Sequence, residues 1–370
     1  MLPEVQKAVY DEAKPAVCVS SESGLELSTR SDSLPSDIVS MGVIGYGYWG
    51  PQIVRNFTAS DRCQVTAVCD KNPDALRRAK QLYPNLEATT HFTEILASAV
   101  IDAVAIVTPV WTHFDLAKAA LQNGKHVFVE KPFTSTSAQA EELIELAEKK
   151  NLRIMVDHTF LFTGAVKKIR QLINEGALGD LYYYDSTRVN LGLFQHDVNV
   201  VWDLAPHDLS IMDYLIDEEP EAIVATGEKH LNCLEDVAYI TVYFRGSTIA
   251  HINVNWLSPV KVRTTLIGGE KKMLVWNDLE ADEKVKIYDK GVNVRNGESV
   301  YQLLISYRSG DMWSPKVEQT EALKAESAYF IDCIQKGERP FNDGVAGLRV
   351  VKMLEAADES LKARGKMVRL

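Results

Sequence analysis

The segment Val43-Ile44-Gly45-Tyr46-Gly47-Tyr48-Trp49-Gly50 constrains the fold of this 370-residue chain more than any other. Apolar residues run into glycines at positions 45, 47 and 50, the G-x-G-x-x-G spacing. Pro51 follows, where a first helical turn tolerates a missing N–H, and Ile53, Val54 and Phe57 recur at helical spacing. Strand, glycine turn and helix in that order form a dinucleotide fingerprint. One glycine makes the turn, one admits a pyrophosphate to the backbone, and one lets helix and strand pack closely. The pyrophosphate is expected on the free N–H groups of the helix start, along the backbone of Gly45, Tyr46, Gly47, Tyr48, Trp49 and Gly50.

Val65–Asp70 reads as a second strand ending in an acid, 20 positions beyond Gly50. A carboxylate there accepts hydrogen bonds from a ribose diol and repels a 2′-phosphate, which predicts NAD as the cofactor. The competing assignment makes Asp70 a cap for the helix that starts near Asn72-Pro73.

Strand and helix then alternate to about residue 157. Ala103–Val107 is wholly apolar, as suits a parallel strand buried on both faces. Past residue 160 the grammar changes to long β-rich segments from Gly179 to Trp276, interrupted by one helical segment at Trp202–Ile216 and followed by helices at Glu321–Lys336 and Gly347–Arg364. The expected class is α/β: an N-terminal Rossmann doubly wound parallel sheet, then an α+β domain with a large, mostly antiparallel sheet. The expected divisions are a polar, disordered tail over 1–38, a cofactor domain over 39–158, a substrate and oligomerisation domain over 159–345, and a C-terminal helix over 346–370.

A formal charge of −11 excludes a nucleic-acid binder, which needs a basic face. The 5 cysteines lack framework spacing, as suits a reducing cytoplasm. No apolar run reaches the roughly 18–20 residues of a membrane span, and no secretory signal pattern opens the chain. The expectation is therefore a cytoplasmic protein with neither membrane nor nucleic acid as partner.

In an open α/β sheet, ligands bind beyond the carboxyl ends of the strands. Thr108, Pro109 and His113 follow one strand end, and Glu130, Lys131 and Pro132 the next. Asp203 and His207, four apart, share a helix face if Pro206 does not distort it. A carboxylate so placed could orient the ring of a general base; the bland assignment is a surface ion pair. His113 could equally cap its helix, and Lys131 could be a solvated lysine. His196, Asp197, Asp203 and His207 match no standard metal spacing, so no metal is expected.

Together these landmarks resemble the glucose–fructose oxidoreductase / inositol dehydrogenase / MocA family: Gly45–Gly50, Asp70, Thr108-Pro109 with His113, Glu130-Lys131-Pro132 and Asp203 to His207, with Asp343-Gly344 leading into the last helix. The resemblance implies NAD(P)-dependent redox at a sugar or polyol carbon, and a homodimer or homotetramer through the C-terminal sheet. It casts Lys131 as the contact to the reacting hydroxyl and the cofactor side, and His207 as general acid/base paired with Asp203. Gly-Tyr-Gly-Tyr-Trp-Gly-Pro and Arg188-Val189-Asn190-Leu191-Gly192 look most like members acting on nucleotide-activated sugars, such as UDP-N-acetylglucosamine or its uronate. The expected small-molecule contacts are then Lys131, Arg188, Asn190 and His207. One departure bears on substrate: Thr159-Phe160-Leu161 stands where inositol and glucose dehydrogenases carry an arginine. The implied reaction is oxidation of a ring hydroxyl at C3. The alternatives are a free-sugar or polyol dehydrogenase, an enzyme using bound NAD transiently, and a non-catalytic NAD-binding regulator.

Overall fold

The computed structural model describes residues 38–192, 194–296 and 303–370. The expected tail over 1–38 lies, but for its last residue, outside the described residues. Six parallel strands form the first sheet: β1 (Val39–Ile44), β2 (Cys63–Cys69), β3 (Glu87–Thr89), β4 (Ala103–Ile106), β5 (His126–Glu130) and β6 (Ile154–Asp157). Their order, β3-β2-β1-β4-β5-β6, is the doubly wound one. β1 and β4 are buried at every position, because helices cover both faces. Those helices are α1 (Gly50–Thr58), α2 (Pro73–Leu82), α3 (Phe92–Ala97), α4 (His113–Gln122) and α5 (Ser137–Lys150). Thr136 caps α5 by accepting from Gln139 N, and Asn151 ends it in the left-handed region at φ 53°.

After α6 (Gly164–Asn174) the chain enters a nine-stranded sheet built from β7 (Leu181–Leu191), β8 (Pro220–Glu228), β9 (Val237–Phe244), β10 (Ile249–Asn255), β11 (Leu257–Gly269), β12 (Met273–Asn277), β13 (Val285–Asn296), β14 (Leu303–Trp313) and β15 (Val368–Arg369). Only the central β7–β10 pair is parallel; the others run antiparallel. The expected α/β class with a second, mostly antiparallel sheet is what the chain adopts. Helix α7 (Val200–Leu215) carries the Asp203–His207 segment and packs on this sheet.

The last two helices follow the second sheet in the chain: α8 (Ala322–Lys336) packs back on α1 and β1 of the first, and α9 (Gly344–Lys362) packs on α5 and β6 of the first as well as on α7 and β8 of the second. Phe330 of α8 meets Phe57 of α1 and Phe128 of β5 edge-on, with ring centroids 6.3 and 5.7 Å away, and those two rings meet each other at 5.4 Å. Truncating one such fully buried ring costs roughly 3–5 kcal/mol. This aromatic knot holds α8 on the cofactor-side sheet, while β15 pairs with β8 at the edge of the other.

Candidate active site

The glycine turn has the geometry its spacing demands. Gly45 sits at φ +102°, and a Cβ there would lie 2.2 Å from the Val107 carbonyl oxygen. A Cβ on Gly50 would lie 2.5 Å from the Gly45 carbonyl oxygen, so that glycine lets α1 start against the strand. A Cβ on Gly47 would meet nothing within 4 Å. Trp49 supplies no side-chain cap to α1 and no acid occupies its first turn; Pro51 has no N–H and Gln52 N already donates to the Trp49 carbonyl at 2.9 Å, so an anion would meet the N–H groups of the glycine turn itself. These features fit a pyrophosphate. Tyr46 contributes backbone only: its ring is 1% exposed and packs in the core. Tyr48 and Trp49 are exposed and meet edge-to-face.

Asp70 lies just past β2, but it does not cap α2; Asn72 does, accepting from Asp74 N at 2.9 Å. The Asp70 carboxylate accepts from Tyr46 N at 2.6 Å and from Asn72 N at 2.8 Å. It is thereby fixed beside the glycine turn, with lone pairs remaining on both oxygens.

His113 is neither a cap nor a surface group. Its buried ring bridges the ends of β4 and β5, with Nε2 2.7 Å from the Thr108 carbonyl and Nδ1 2.9 Å from the Pro132 carbonyl. Burial holds its pKa below the ordinary value despite those carbonyls. The Lys131–Pro132 bond is cis.

Lys131 reaches from the end of β5 to α7. Its Nζ donates to the Asp203 carbonyl at 2.7 Å and lies 3.5 Å from Asp203 Oδ1. Asp203 Oδ2 accepts from the Trp256 indole N–H at 3.1 Å. This corrects the expected Asp203–His207 couple. Helical spacing puts the two residues on one face, yet the carboxylate turns to the nearer cation and to the indole. His207 Nδ1 is buried with no hydrogen-bond partner. Its ring packs edge-on against Phe160, with centroids 5.0 Å apart. Burial first, then the charges of Lys131 and Arg188, pushes its pKa well below 6.5, so the ring is a neutral base. Asn199 caps α7 and donates to Glu235 and Asp358, fixing the turn that carries Asp203. The helix continues through Pro206.

Arg188 differs most from the expectation of a free substrate contact. Its side chain is buried and bidentate on Asp208, with Nε–Oδ2 2.6 Å and Nη2–Oδ1 3.3 Å. Ser186 donates to the same carboxylate at 2.6 Å. Asn190, half-buried, lies two residues along β7 on the same face. Phe160, the residue at the departure point, lies under the Arg188 guanidinium at 4.4 Å and the Arg263 guanidinium at 5.5 Å.

Glu130 is paired in register with Asp157 across β5 and β6, and Lys131 N donates to it at 3.2 Å. Glu326 of α8 completes a cluster of carboxyls joined by hydrogen bonds to Asp157, with Asn342 donating to Glu326 at 3.2 Å. Burial and mutual repulsion raise the pKa of Glu130 and Glu326 well above 4.5, because carboxyls in contact must share protons. Sequence spacing could not reveal Glu326, Trp256 or Phe160 as neighbours of this site, since they come from other elements. Among the described residues no group of three or more His, Cys, Asp or Glu is placed to hold a metal ion, and no helix is long and apolar enough to cross a membrane.

Residues 39–158 match the model of an oxidoreductase family with an NAD-binding Rossmann fold, GFO_IDH_MocA, and residues 166–275 match its C-terminal domain. The chain is 28% identical over 318 residues to the UDP-N-acetylglucosamine 3-dehydrogenase of Acidithiobacillus ferrooxidans, covering 84% of this chain and 93% of that one. The solved structure of that enzyme superposes with a TM-score of 0.73 over 88% of this chain and 98% of its own. Scyllo-inositol 2-dehydrogenase (NADP(+)) of Bacillus subtilis is 24% identical over 89% of this chain and 95% of its own. Levoglucosan dehydrogenase in complex with NADH shares the fold at TM-score 0.76, with 18% identity over 90% of this chain and 98% of its own.

Proposed function

We propose that this chain, which belongs to the Gfo/Idh/MocA oxidoreductase family, oxidises a secondary ring hydroxyl, at C3, of a nucleotide-activated sugar of the UDP-N-acetylglucosamine type. The observation that carries this reading is that Lys131, beyond the carboxyl end of β5 where a doubly wound sheet binds its ligands, bonds the carbonyl of Asp203 one helical turn before His207. The 28% identity to a UDP-N-acetylglucosamine 3-dehydrogenase over most of both chains supports the substrate.

NAD, when bound, accepts a hydride; that chemistry is the cofactor's own. The anchored carboxylate of Asp70 favours a ribose diol over a 2′-phosphate. The neutral His207 ring removes the hydroxyl proton. Lys131 donates to the developing alkoxide and lowers the cost of its negative charge. The Asp203 backbone carbonyl holds Lys131 in place, while Trp256 holds the Asp203 side chain. Residues 39–158 then serve the cofactor and the sheet after 159 the substrate. Exposed Tyr182, Tyr239 and Tyr243 on that sheet suit a homodimer or homotetramer contact, in the cytoplasm.

The test mixes purified protein with NAD and UDP-N-acetylglucosamine, beside free inositol, glucose and their phosphates, and follows NADH absorbance. Growth only with the nucleotide sugar supports the reading. Growth only with a free polyol moves the assignment to a polyol dehydrogenase, the reading favoured by the full-length match to an inositol dehydrogenase. A flat trace with every substrate refutes net oxidation.

A further inference from the structure

Arg188 on β7 and Arg263 on β11 stand directly opposite each other in the antiparallel register. Like charges in that position oppose sheet formation, so the pair needs a reason. Partial compensation is present. Asp208 neutralises Arg188 in a buried bidentate pair, and the face of Phe160 attracts both guanidiniums.

Arg263 is served less well. Its carboxylate, Asp278, lies 3.4 Å away and is shared with Lys284 at 3.9 Å. Among the described residues, the ion pairs of Lys131, Arg188, Arg263 and Lys284 at this site are made with Asp203, Asp208 and Asp278, Glu130 beside Lys131 being held toward its neutral form. One positive charge is left over, and it centres on Arg263, whose side chain is 34% exposed. Arg188 Nη1, in a side chain only 6% exposed, has no partner. Burial and the charge of Arg188 hold the Arg263 pKa below its ordinary value, as expected of a cation short of counter-charge. Phe160 separates Arg263 from His207, its centroid 5.5 Å from one and 5.0 Å from the other. Arg263 and His207 thus pack against one ring, close enough together for substituents of one sugar to reach both.

We infer that Arg263, backed by Arg188 across the strand pair, forms an anion subsite that selects substrates bearing a negatively charged substituent near the oxidised ring. The inference rests on the sugar-oxidation reading for its location. Two sources share the chemistry: a carboxylate on the sugar ring, or the diphosphate of a nucleotide sugar. Both suit the planar fork of a guanidinium.

Binding measured by titration calorimetry, in the presence of NAD, tests this without requiring turnover. The probes are UDP-N-acetylglucosamine, glucuronate and neutral N-acetylglucosamine, against wild type, Arg263→Gln, Arg263→Lys and Asp278→Asn. Arg263→Gln should weaken the anionic probe by about tenfold or more, with Arg263→Lys between it and wild type. Asp278→Asn should tighten the same probe, because it frees the cation; a folding defect cannot produce that opposite sign. A loss confined to UDP-N-acetylglucosamine identifies the diphosphate, and a loss confined to glucuronate identifies the carboxylate. Equal changes for the neutral sugar, or no change for either anion, overturn the subsite. Arginine-dependent binding of UDP-N-acetylglucosamine without any NADH formation would leave the subsite standing and sink the oxidation reading.

Discussion

Lys131 Nζ donates to the backbone carbonyl of Asp203 at 2.7 Å, so one hydrogen bond ties the carboxyl end of β5 to the helix that bears His207. The lysine is thus held by a carbonyl that no side-chain substitution removes, and its charge is left for an alkoxide. Lys131→Met should lower kcat by about 10²–10³ or more, the scale for losing a donor to a developing oxyanion. NADH binding, followed by fluorescence quenching, should stay within about twofold, since the contacts of the glycine turn are untouched. Asp203→Asn keeps the carbonyl and a side-chain acceptor for Trp256 and loses only the long 3.5 Å ion pair. It should therefore cost far less than Lys131→Met. Equal losses in the two variants would show that the carboxylate, not the carbonyl, positions the lysine.

The depressed pKa of His207 sets the pH profile. A base must be neutral, and burial together with Lys131 keeps this ring neutral below its ordinary 6.5. The acid limb of kcat/KM should accordingly fall below pH 6.5, and a limb at or above that value would remove His207 as the base. Stability follows the same sign. The unfolded ring takes up a proton near 6.5 and the folded ring does not, so its contribution is present above that pH and lost as pH falls. His126, held down to about 4, and His158, to about 3, lose stability over the same descent. Thermal melts should show Tm dropping as pH falls from 6.5 toward 4.

The buried carboxyls titrate the other way. The folded state holds protons on Glu130 and Glu326 that the unfolded chain releases above about 4.5, so their contribution declines as pH rises toward the folded values. Glu326→Gln keeps an acceptor for Asn342 and a donor toward Asp157 that no rise in pH removes. It should raise Tm by at least about 2 °C at about pH 8, and by less at about pH 5. A lower Tm at the higher pH would mean that the ionised cluster is itself stabilising.

What the sequence disclosed followed periodicity and turn chemistry. The glycine turn could be read from its spacing, which Gly45 serves by its positive φ, Gly50 by its close approach to the Gly45 carbonyl and Gly47 by leaving its backbone open, and the apolar run of β4 because both its faces are covered. Strands β13 and β14 were not foreseen, since their polar residues alternate weakly. Within the site, local spacing placed Asp203 and His207 on one helix but could not say which neighbours compete for the carboxylate. Trp256 and Lys131, 53 and 72 residues away in sequence, decide that. Glu130 could be placed at a strand end, but its carboxyl neighbours Asp157 on β6 and Glu326 on α8 could not be read from local spacing. Long-range partners of this kind leave no period in the chain.

The glycine turn allows function and stability to be separated. Gly45 has φ +102° and no room for a Cβ, the Val107 oxygen being 2.2 Å from where it would stand. Gly45→Ala therefore strains backbone and packing together, by roughly 1–3 kcal/mol for the conformation alone, and should lower Tm as well as abolish NAD binding. At Gly47 a Cβ meets nothing within 4 Å, so alanine costs the fold almost nothing. Its methyl instead stands where the pyrophosphate must approach the backbone. Gly47→Ala should thus leave Tm within about 1 °C of wild type and weaken NAD binding by about tenfold or more, the scale of one lost backbone approach. Calorimetric titration with NAD and a thermal melt on the same sample check both halves. Unchanged NAD affinity in Gly47→Ala would show that the pyrophosphate does not lie against this residue.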